Sequence, residues 1–155
     1  AQLRLPDLSK EEQDFRVERV LHMLGLEERK NLRVAKLSGG QRKRVSVGVE
    51  LLAEPKLLFA DEPTSGLDPA LERSLMQTLH TLATEGERII FVTTHIMTSI
   101  NALHKILVLF AGRLVFMGAP QDAKEFFQIE DYTQLYHRLD QHAPEAWEKR
   151  FARMS

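Results

Sequence analysis

The sequence contains no cysteine and no long apolar run, and its charges almost cancel. Without cysteine, the chain forms no disulfide and offers no thiolate to a metal, which fits a reducing compartment. The longest apolar segments, such as residues 106–111, fall far short of the roughly 20 residues that span a bilayer. With 21 basic against 22 acidic side chains, no cationic surplus favours a nucleic-acid backbone.

Two further absences concern the start of the chain and its glycine pattern. The opening residues 1–6 have neither an initiator methionine nor the pattern of a signal peptide, so we expect the chain to be cut from a longer protein. No G-x-x-x-x-G-K-[ST] phosphate loop occurs anywhere in the sequence. The 155 residues nevertheless suffice for a domain with its own core.

Apolar runs and helical patterns alternate along the chain and predict the α/β class. Residues 57–60 and 89–92 are expected to be buried parallel strands. Ala111-Gly112 predicts a tight hairpin between 105–110 and 113–117. We expect a short helix over 96–103 and further helices over 121–127, 131–141 and 144–153.

Three helix starts carry capping signals. They are Ser9 with Glu12, Ser38 with Gln41, and Asp68 with Pro69. The helix that follows Ser38 is expected to bury Val45, Val49 and Leu52 on one face.

The segment Ser38-Gly39-Gly40-Gln41 is suited to an anion. The first amides of a helix lack intrahelical partners, and glycine lets the backbone approach a phosphate closely. Three cations follow at residues 42–44, where the helix dipole disfavours positive charge. An anion-binding helix start and a plain capped helix with a solvated basic face explain this segment about equally well.

Asp61 and Glu62 follow the first predicted strand, and His95 follows the second. A strand-end carboxylate can hold Mg²⁺ at nucleotide phosphates, and a second carboxylate can accept a proton from an attacking water. A histidine at the carboxyl edge of a sheet can bond a phosphate oxygen or that water. Each feature taken alone is also typical of an ordinary turn or strand end.

Taken in order, these residues resemble the ATP-binding cassette (ABC) family. Residues 37–44 resemble its signature motif, 57–68 its Walker B strand and D-loop, and Thr93-Thr94-His95 its switch histidine. The resemblance covers residues 1–128 and implies a partial P-loop NTPase fold, with a helical subdomain, part of the parallel sheet, and a C-terminal hairpin and helices. It divides the chain into a helical subdomain (1–54), the C-terminal part of the ATPase core (55–128) and a helical connector (129–155).

The resemblance also implies roles for the site residues, with ATP and Mg²⁺ as cofactors. Glu62 would be the general base, His95 the phosphate sensor and Asp61 the Mg²⁺ ligand, all acting on ATP held by a phosphate loop outside this chain. The remaining residues would act across a head-to-tail dimer with a second nucleotide-binding domain. They are Ser38, Gly39, Gly40 and Gln41, which would contact the partner's ATP, and Ser65, Gly66 and Asp68, which would form the D-loop.

The run over residues 41–51 is similar to the G-type branch of transporters. This similarity implies a transmembrane permease domain in the same parent chain and a location at the cytoplasmic face of a membrane. This chain itself would not insert into the membrane, would bind no nucleic acid and would be inactive alone. Two departures from the branch are Ile96-Met97, where Gln-Pro often follows the histidine, and His104, where an aspartate is common.

Two other functions remain open at this point. One is a soluble ABC-type ATPase that acts on nucleic acid or ribosomes, which would normally carry coiled-coil insertions or basic extensions. The other is a non-catalytic dimerisation or regulatory module with an ABC-like fold. Retention of both Glu62 and His95 favours the ATP-hydrolysing transporter subunit over that module.

Overall fold

The computed structural model describes residues 3–86 and 88–154 of the chain. Its residues fall into two compact units, Ala1–His95 and Ile96–Ser155. The described helices and strands of the first unit are α1 (Lys10–Met23), α2 (Gly39–Leu51), β1 (Leu57–Asp61), α3 (Pro69–Glu85) and β2 (Ile89–Thr93). Those of the second unit are β3 (Ile106–Phe110), β4 (Arg113–Gly118), α4 (Pro120–Phe127), α5 (Leu135–Leu139) and α6 (Pro144–Ala152). Short 3₁₀ turns connect them, one of them over Met97–Ala102 in place of the short helix predicted there.

The capping signals place the helix starts of the first unit correctly. The Ser9 hydroxyl accepts from the Glu12 amide while the Glu12 carboxylate accepts from the Ser9 amide, so that both residues satisfy amides at the start of α1. Ser38 and Gln41 form the same reciprocal pair at the start of α2. The predicted helix starts are therefore confirmed.

The buried face of α2 differs from the one that the sequence predicts. Leu52 is buried as expected, but Val49 is 38% exposed, and the buried residues within the helix are Gly48 and Leu51. At Gly48, α2 approaches α1 so closely that an added Cβ would lie 2.8 Å from Leu24 Cδ1. A search for large apolar residues misses a contact face that is built around a glycine, and the Val49 prediction is wrong for that reason.

The strands β1 and β2 pair in parallel, with Leu57 opposite Ile89 and Asp61 opposite Thr93. The parallel pairing is confirmed, but the prediction that both strands are fully buried is wrong. Every second side chain lies on an exposed face, where the rings of Phe59 and Phe91 stack with centroids 5.2 Å apart. A sheet has two faces, and the described residues of this unit leave the Phe59 face exposed.

The second unit is built on the predicted hairpin, in which β3 pairs antiparallel with β4. Ala111 and Gly112 form its two-residue loop with φ of 47° and 77°, as a type I′ turn requires, so the predicted tight turn is confirmed. The core of this unit is aromatic: Phe127 and Trp147 are almost fully buried, and the indole Nε1 of Trp147 donates to the Leu139 carbonyl at 3.0 Å. Among residues 3–86 and 88–154, no helix is long and apolar enough to cross a membrane.

Candidate functional site

The carboxyl ends of β1 and β2 meet at one edge of the sheet, because the two strands are parallel. Asp61 and Thr93 are the last residues of these strands and face each other in the register. The Thr93 hydroxyl donates to the Asp61 carboxylate, from Oγ1 to Oδ1, at 2.5 Å. Asp61 therefore lies where the sequence predicted it, at the carboxyl edge.

Glu62 is held in place at the same edge through its backbone. Its amide donates to the Thr93 carbonyl at 3.2 Å and to the Thr93 hydroxyl at 3.0 Å. Its φ is +42°, in the left-handed region that non-glycine residues seldom adopt. Glu62 Oε1 then lies 3.0 Å from His95 Nδ1. The structure thus brings together Asp61, Glu62 and His95.

The pair of Glu62 and His95 is open to solvent, with 46% of the Glu62 side chain and 59% of the His95 side chain exposed. Water screens such a pair, so its contribution to stability is small. Its importance is geometric. An ionised carboxylate can only accept, so in that state of Glu62 the histidine donates from Nδ1, and Nε2 then donates to a further group only when both ring nitrogens carry a proton.

The chain turns directly after Glu62. The Ser65 amide donates to the Glu62 carbonyl at 3.1 Å, and Gly66 follows with φ of +75°, which favours glycine. Asp68 then caps α3, because its Oδ1 accepts from the amides of Ala70 and Leu71 at 3.0 Å each. The predicted D-loop residues therefore form one turn between the Asp61–Glu62 edge and α3.

The start of α2 lies against this turn. A Cβ added at Gly40 would lie 2.8 Å from Leu67 Cδ2, and Lys43 Nζ lies 3.5 Å from the Ser65 carbonyl oxygen. Ser38 and Gly39 are exposed, and an added Cβ at Gly39 would meet no atom within 4 Å. The predicted signature residues thus contact the predicted D-loop on one side and present Ser38 and Gly39 to solvent.

The three basic residues after Gln41 have structural partners within the chain. Arg42 Nη1 donates to the Leu37 carbonyl and Arg44 Nη1 to the Leu24 carbonyl, both at 2.7 Å, while Lys43 reaches Ser65. These contacts give each cation a role that needs no bound anion. The case for an anion at this helix start therefore depends on the exposed glycine end rather than on its cations.

The edge fits a magnesium ion that arrives with a nucleotide. Mg²⁺ usually keeps several waters and is bound through one or two carboxylates together with substrate phosphates. Asp61 supplies one exposed carboxylate, of which Thr93 occupies only Oδ1. In the described parts of the chain, no group of three or more His, Cys, Asp or Glu side chains is placed to hold a metal. The donor set matches a nucleotide-borne ion better than an all-protein cage.

Thr93 is the site residue that sequence reasoning missed. It precedes His95 by two positions, and its hydroxyl contacts both Asp61 and the Glu62 amide. The available signal was a hydroxyl side chain at the last position of a strand expected to run parallel to the Asp61 strand.

The sequence comparisons agree with the motifs. Residues 2–65 match the family model described as ABC transporter. The chain is 48% identical over 122 residues to the ABC transporter ATP-binding/permease protein Rv1747 of Mycobacterium tuberculosis, covering 77% of this chain and 14% of that protein. It is 39% identical over 139 residues to the mouse broad substrate specificity ATP-binding cassette transporter ABCG2, covering 85% of this chain and 21% of the relative.

Solved structures extend the match to the fold. The cbiO1 protein of Clostridium perfringens, part of the ABC transporter complex cbiONQ, superposes with a TM-score of 0.69 at 31% identity, over 92% of this chain and 55% of that one. The dimeric structure of MJ0796, a bacterial ABC transporter cassette, gives a TM-score of 0.65 at 33% identity, over 72% of this chain and 49% of the other. The chain belongs to the ABC family, and its fold is part of an ABC ATPase cassette. It spans about half the length of these cassettes and about a fifth or less of the curated relatives.

Proposed function

We propose that the protein to which this chain belongs hydrolyses ATP to drive transport across a membrane, and that this chain supplies the hydrolytic edge of its cassette. The observation that carries the proposal is the cluster at the carboxyl ends of β1 and β2. Asp61, Glu62 and His95 lie there within one hydrogen-bonded group. The similarity to ABC transporters over most of the chain supports it.

In the proposed reaction, Mg²⁺ bound with ATP supplies charge neutralisation at the phosphates. Asp61 would hold that ion at the strand end through Oδ2, the oxygen that does not contact Thr93. Glu62 accepts a proton from the attacking water, an effect typically worth on the order of 10²–10⁴ in rate. Its carboxylate is oriented toward this task by His95, 3.0 Å away.

His95 has two possible tasks, which the protonation of its ring separates. With Nδ1–H directed at Glu62, the neutral ring can only accept at Nε2, so it would orient the base. To donate to a γ-phosphate oxygen at the same time, the ring must carry a second proton. The phosphate-sensing role therefore requires a cationic His95, release of its contact with Glu62, or a Glu62 carboxyl that has taken a proton and donates it to Nδ1.

The remaining site residues serve a second cassette in this proposal. Ser38, Gly39, Gly40 and Gln41 would contact ATP bound by the partner domain, and the exposed glycine end of α2 supports this role. Ser65, Gly66 and Asp68 would form the turn that joins the two ATP sites. The dimeric state of the MJ0796 cassette, also solved with ADP and Pi, supports a pair of cassettes; the proposal arranges the pair head to tail.

The similarity to ABCG2 supports a parent protein of the G-type branch, and the similarity to the ATP-binding/permease protein Rv1747 supports a permease domain in the same chain. The proposal places the cassette at the cytoplasmic face of the membrane. Under this proposal, residues 1–54 belong to the helical subdomain, 55–128 to the ATPase core and 129–155 to a connector toward the permease domain.

The test is the substitution Glu62→Gln in the parent protein. ATP binding should persist while phosphate release falls by roughly 100-fold or more, because the amide cannot accept the proton. Glu85→Gln is the matched control, since Glu85 is an exposed glutamate at the end of α3, and it should hydrolyse ATP at the parent rate. If Glu62→Gln hydrolysed ATP at that same rate, Glu62 would not be the general base.

A calorimetric titration of Mg-ATP into the 155-residue chain alone tests a second part of the proposal, namely that the phosphate loop which holds ATP lies outside this chain. We expect absent or very weak binding, because the sequence offers no phosphate loop. Stoichiometric binding would mean that this chain holds nucleotide by other groups and would contradict the proposed division of the site.

A further inference from the structure

Thr93 occupies the centre of the hydrogen-bonded group at the carboxyl edge. Its hydroxyl acts in two directions at once, since the hydrogen is donated to Asp61 Oδ1 and the oxygen accepts from the Glu62 amide. The Thr93 carbonyl accepts from the same amide. One residue of β2 therefore contacts the last residue of β1 and the residue directly after it, across 32 and 31 positions of sequence.

The Glu62 backbone needs this support. A glutamate with φ of +42° is in a conformation that persists only where the surroundings hold it. The described contacts of the Glu62 amide both come from Thr93, one from its carbonyl and one from its hydroxyl. The direction in which the Glu62 side chain leaves the backbone, and hence its 3.0 Å contact with His95, depends on this conformation.

We propose that Thr93 is a positioning residue that sets both carboxylates through its single hydroxyl. It fixes the orientation of Asp61 by donating to Oδ1, so that Oδ2 remains open for a cation. It holds the Glu62 backbone in the left-handed conformation, so that the carboxylate meets His95. The catalytic consequence rests on the proposed function, whereas the structural consequence can be measured without any nucleotide.

The alternative is that Thr93 is present only as a β-branched residue that favours a strand. Valine separates the two explanations, because it keeps the shape and strand preference of threonine and lacks the hydroxyl. Serine has the opposite properties, since it keeps the hydroxyl and loses the methyl group. Thr78→Val is the matched control: it also removes a hydroxyl hydrogen bond from the first unit, here within α3 to the Ser74 carbonyl.

The first readout is hydrogen exchange of the Glu62 amide, followed by NMR in the 155-residue chain. Thr93→Val should speed exchange of this amide by roughly 3- to 10-fold, as expected for loss of one modest hydrogen bond. Thr93→Ser and Thr78→Val should leave it near the parent rate. Equal Glu62 exchange in the parent and in Thr93→Val, with both chains folded by circular dichroism, would overturn the proposal.

The second readout is steady-state ATP hydrolysis by the parent protein. Thr93→Val should lower kcat by roughly 10-fold or more, through misdirection of Glu62, with a smaller change in KM for ATP, and Thr93→Ser should restore most of kcat. An unchanged kcat in Thr93→Val would overturn the catalytic role. If the unsubstituted parent hydrolyses no ATP, the proposed function fails, and the exchange measurement still decides the role of Thr93 at Glu62.

Discussion

Gly40 packs so closely against Leu67 that a Cβ added at position 40 would lie 2.8 Å from Leu67 Cδ2. Leu71 Cδ1 would be the next atom, at 3.3 Å. This contact joins the start of α2 to the turn that carries Ser65 and Gly66. Gly39, one residue earlier in the same helix, would meet no atom within 4 Å, so the two adjacent glycines have different structural reasons for being glycine.

The two glycines make a matched pair of substitutions. Gly39→Ala should leave the free energy of unfolding unchanged or raise it by up to about 1 kcal/mol, because alanine is the better helix former. Gly40→Ala should be less stable than Gly39→Ala by about 1 kcal/mol, because its methyl group overpacks the contact with Leu67. Urea denaturation of both variants measures the difference.

A third variant, Leu67→Ala, tests whether the contact with Leu67 causes the lower stability of Gly40→Ala. If the clash is the cause, Gly40→Ala should cost much less when Leu67→Ala is already present, since the two positions touch and their effects are not additive. An equal cost in both backgrounds would show that Gly40 is required for some reason other than its contact with Leu67.

The stacked rings of Phe59 and Phe91 predict self-association of the isolated chain. Phe59 is 70% exposed and Phe91 42%, and Leu57 and Ile89 extend the same apolar face. Exposed apolar patches of this kind drive association. Phe59→Ser should therefore lower the weight-average sedimentation coefficient across a concentration series. Tyr136→Ser is the control, because it removes a 55% exposed aromatic ring from the other unit, and it should leave the sedimentation coefficient unchanged. An equal decrease in both variants would contradict a specific role of the Phe59 face.

Trp147 should dominate the stability of the second unit. It is 1% exposed, contacts the rings of Phe126 and Phe127, and donates to the Leu139 carbonyl. Trp147→Ala should lower the free energy of unfolding by roughly 3–5 kcal/mol, the usual cost of emptying a buried aromatic site. Thermal denaturation followed by circular dichroism measures it. Met154→Ala, at a 63% exposed position, should change stability by less than about 0.5 kcal/mol.

Asp131 should make the second unit less stable as the pH falls into the acid range. The Thr133 hydroxyl and then its amide donate to this carboxylate and lower its pKa below the ordinary value. A group whose pKa is lower in the folded state stabilises the fold above its unfolded pKa, about 3.9. That contribution disappears as the pH falls through the folded pKa. The difference in melting temperature between the parent and Asp131→Asn should therefore be present at pH 7 and shrink below about pH 4.

The Thr133 contact supplies the control for this pH effect. Thr133→Val removes the first cause of the lowered pKa, so the Asp131 carboxyl should titrate at a higher pH, as followed by its ¹³C chemical shift. An unchanged titration in Thr133→Val would assign the lowered pKa to another group.

Much of the fold could be predicted because its signals are local. The capping pairs of Ser9 with Glu12 and of Ser38 with Gln41 connect residues only three positions apart. The hairpin turn depends on the positive φ angles of two adjacent residues, Ala111 and Gly112. The Asp61–Glu62 edge and His95 could be located because the carboxyl ends of parallel strands must meet.

The sequence by itself thus determined the order of the motifs, the helix starts, the hairpin and the edge at which the carboxylates and the histidine lie. Only the tertiary structure decided that the Thr93 hydroxyl connects Asp61 with Glu62, that Gly48 rather than Val49 faces α1, and that one face of the β1–β2 sheet is exposed. The reason is physical. Caps and turns are fixed by hydrogen bonds among neighbouring residues, whereas these three features depend on how closely segments distant in sequence approach one another, and on which surfaces they leave uncovered.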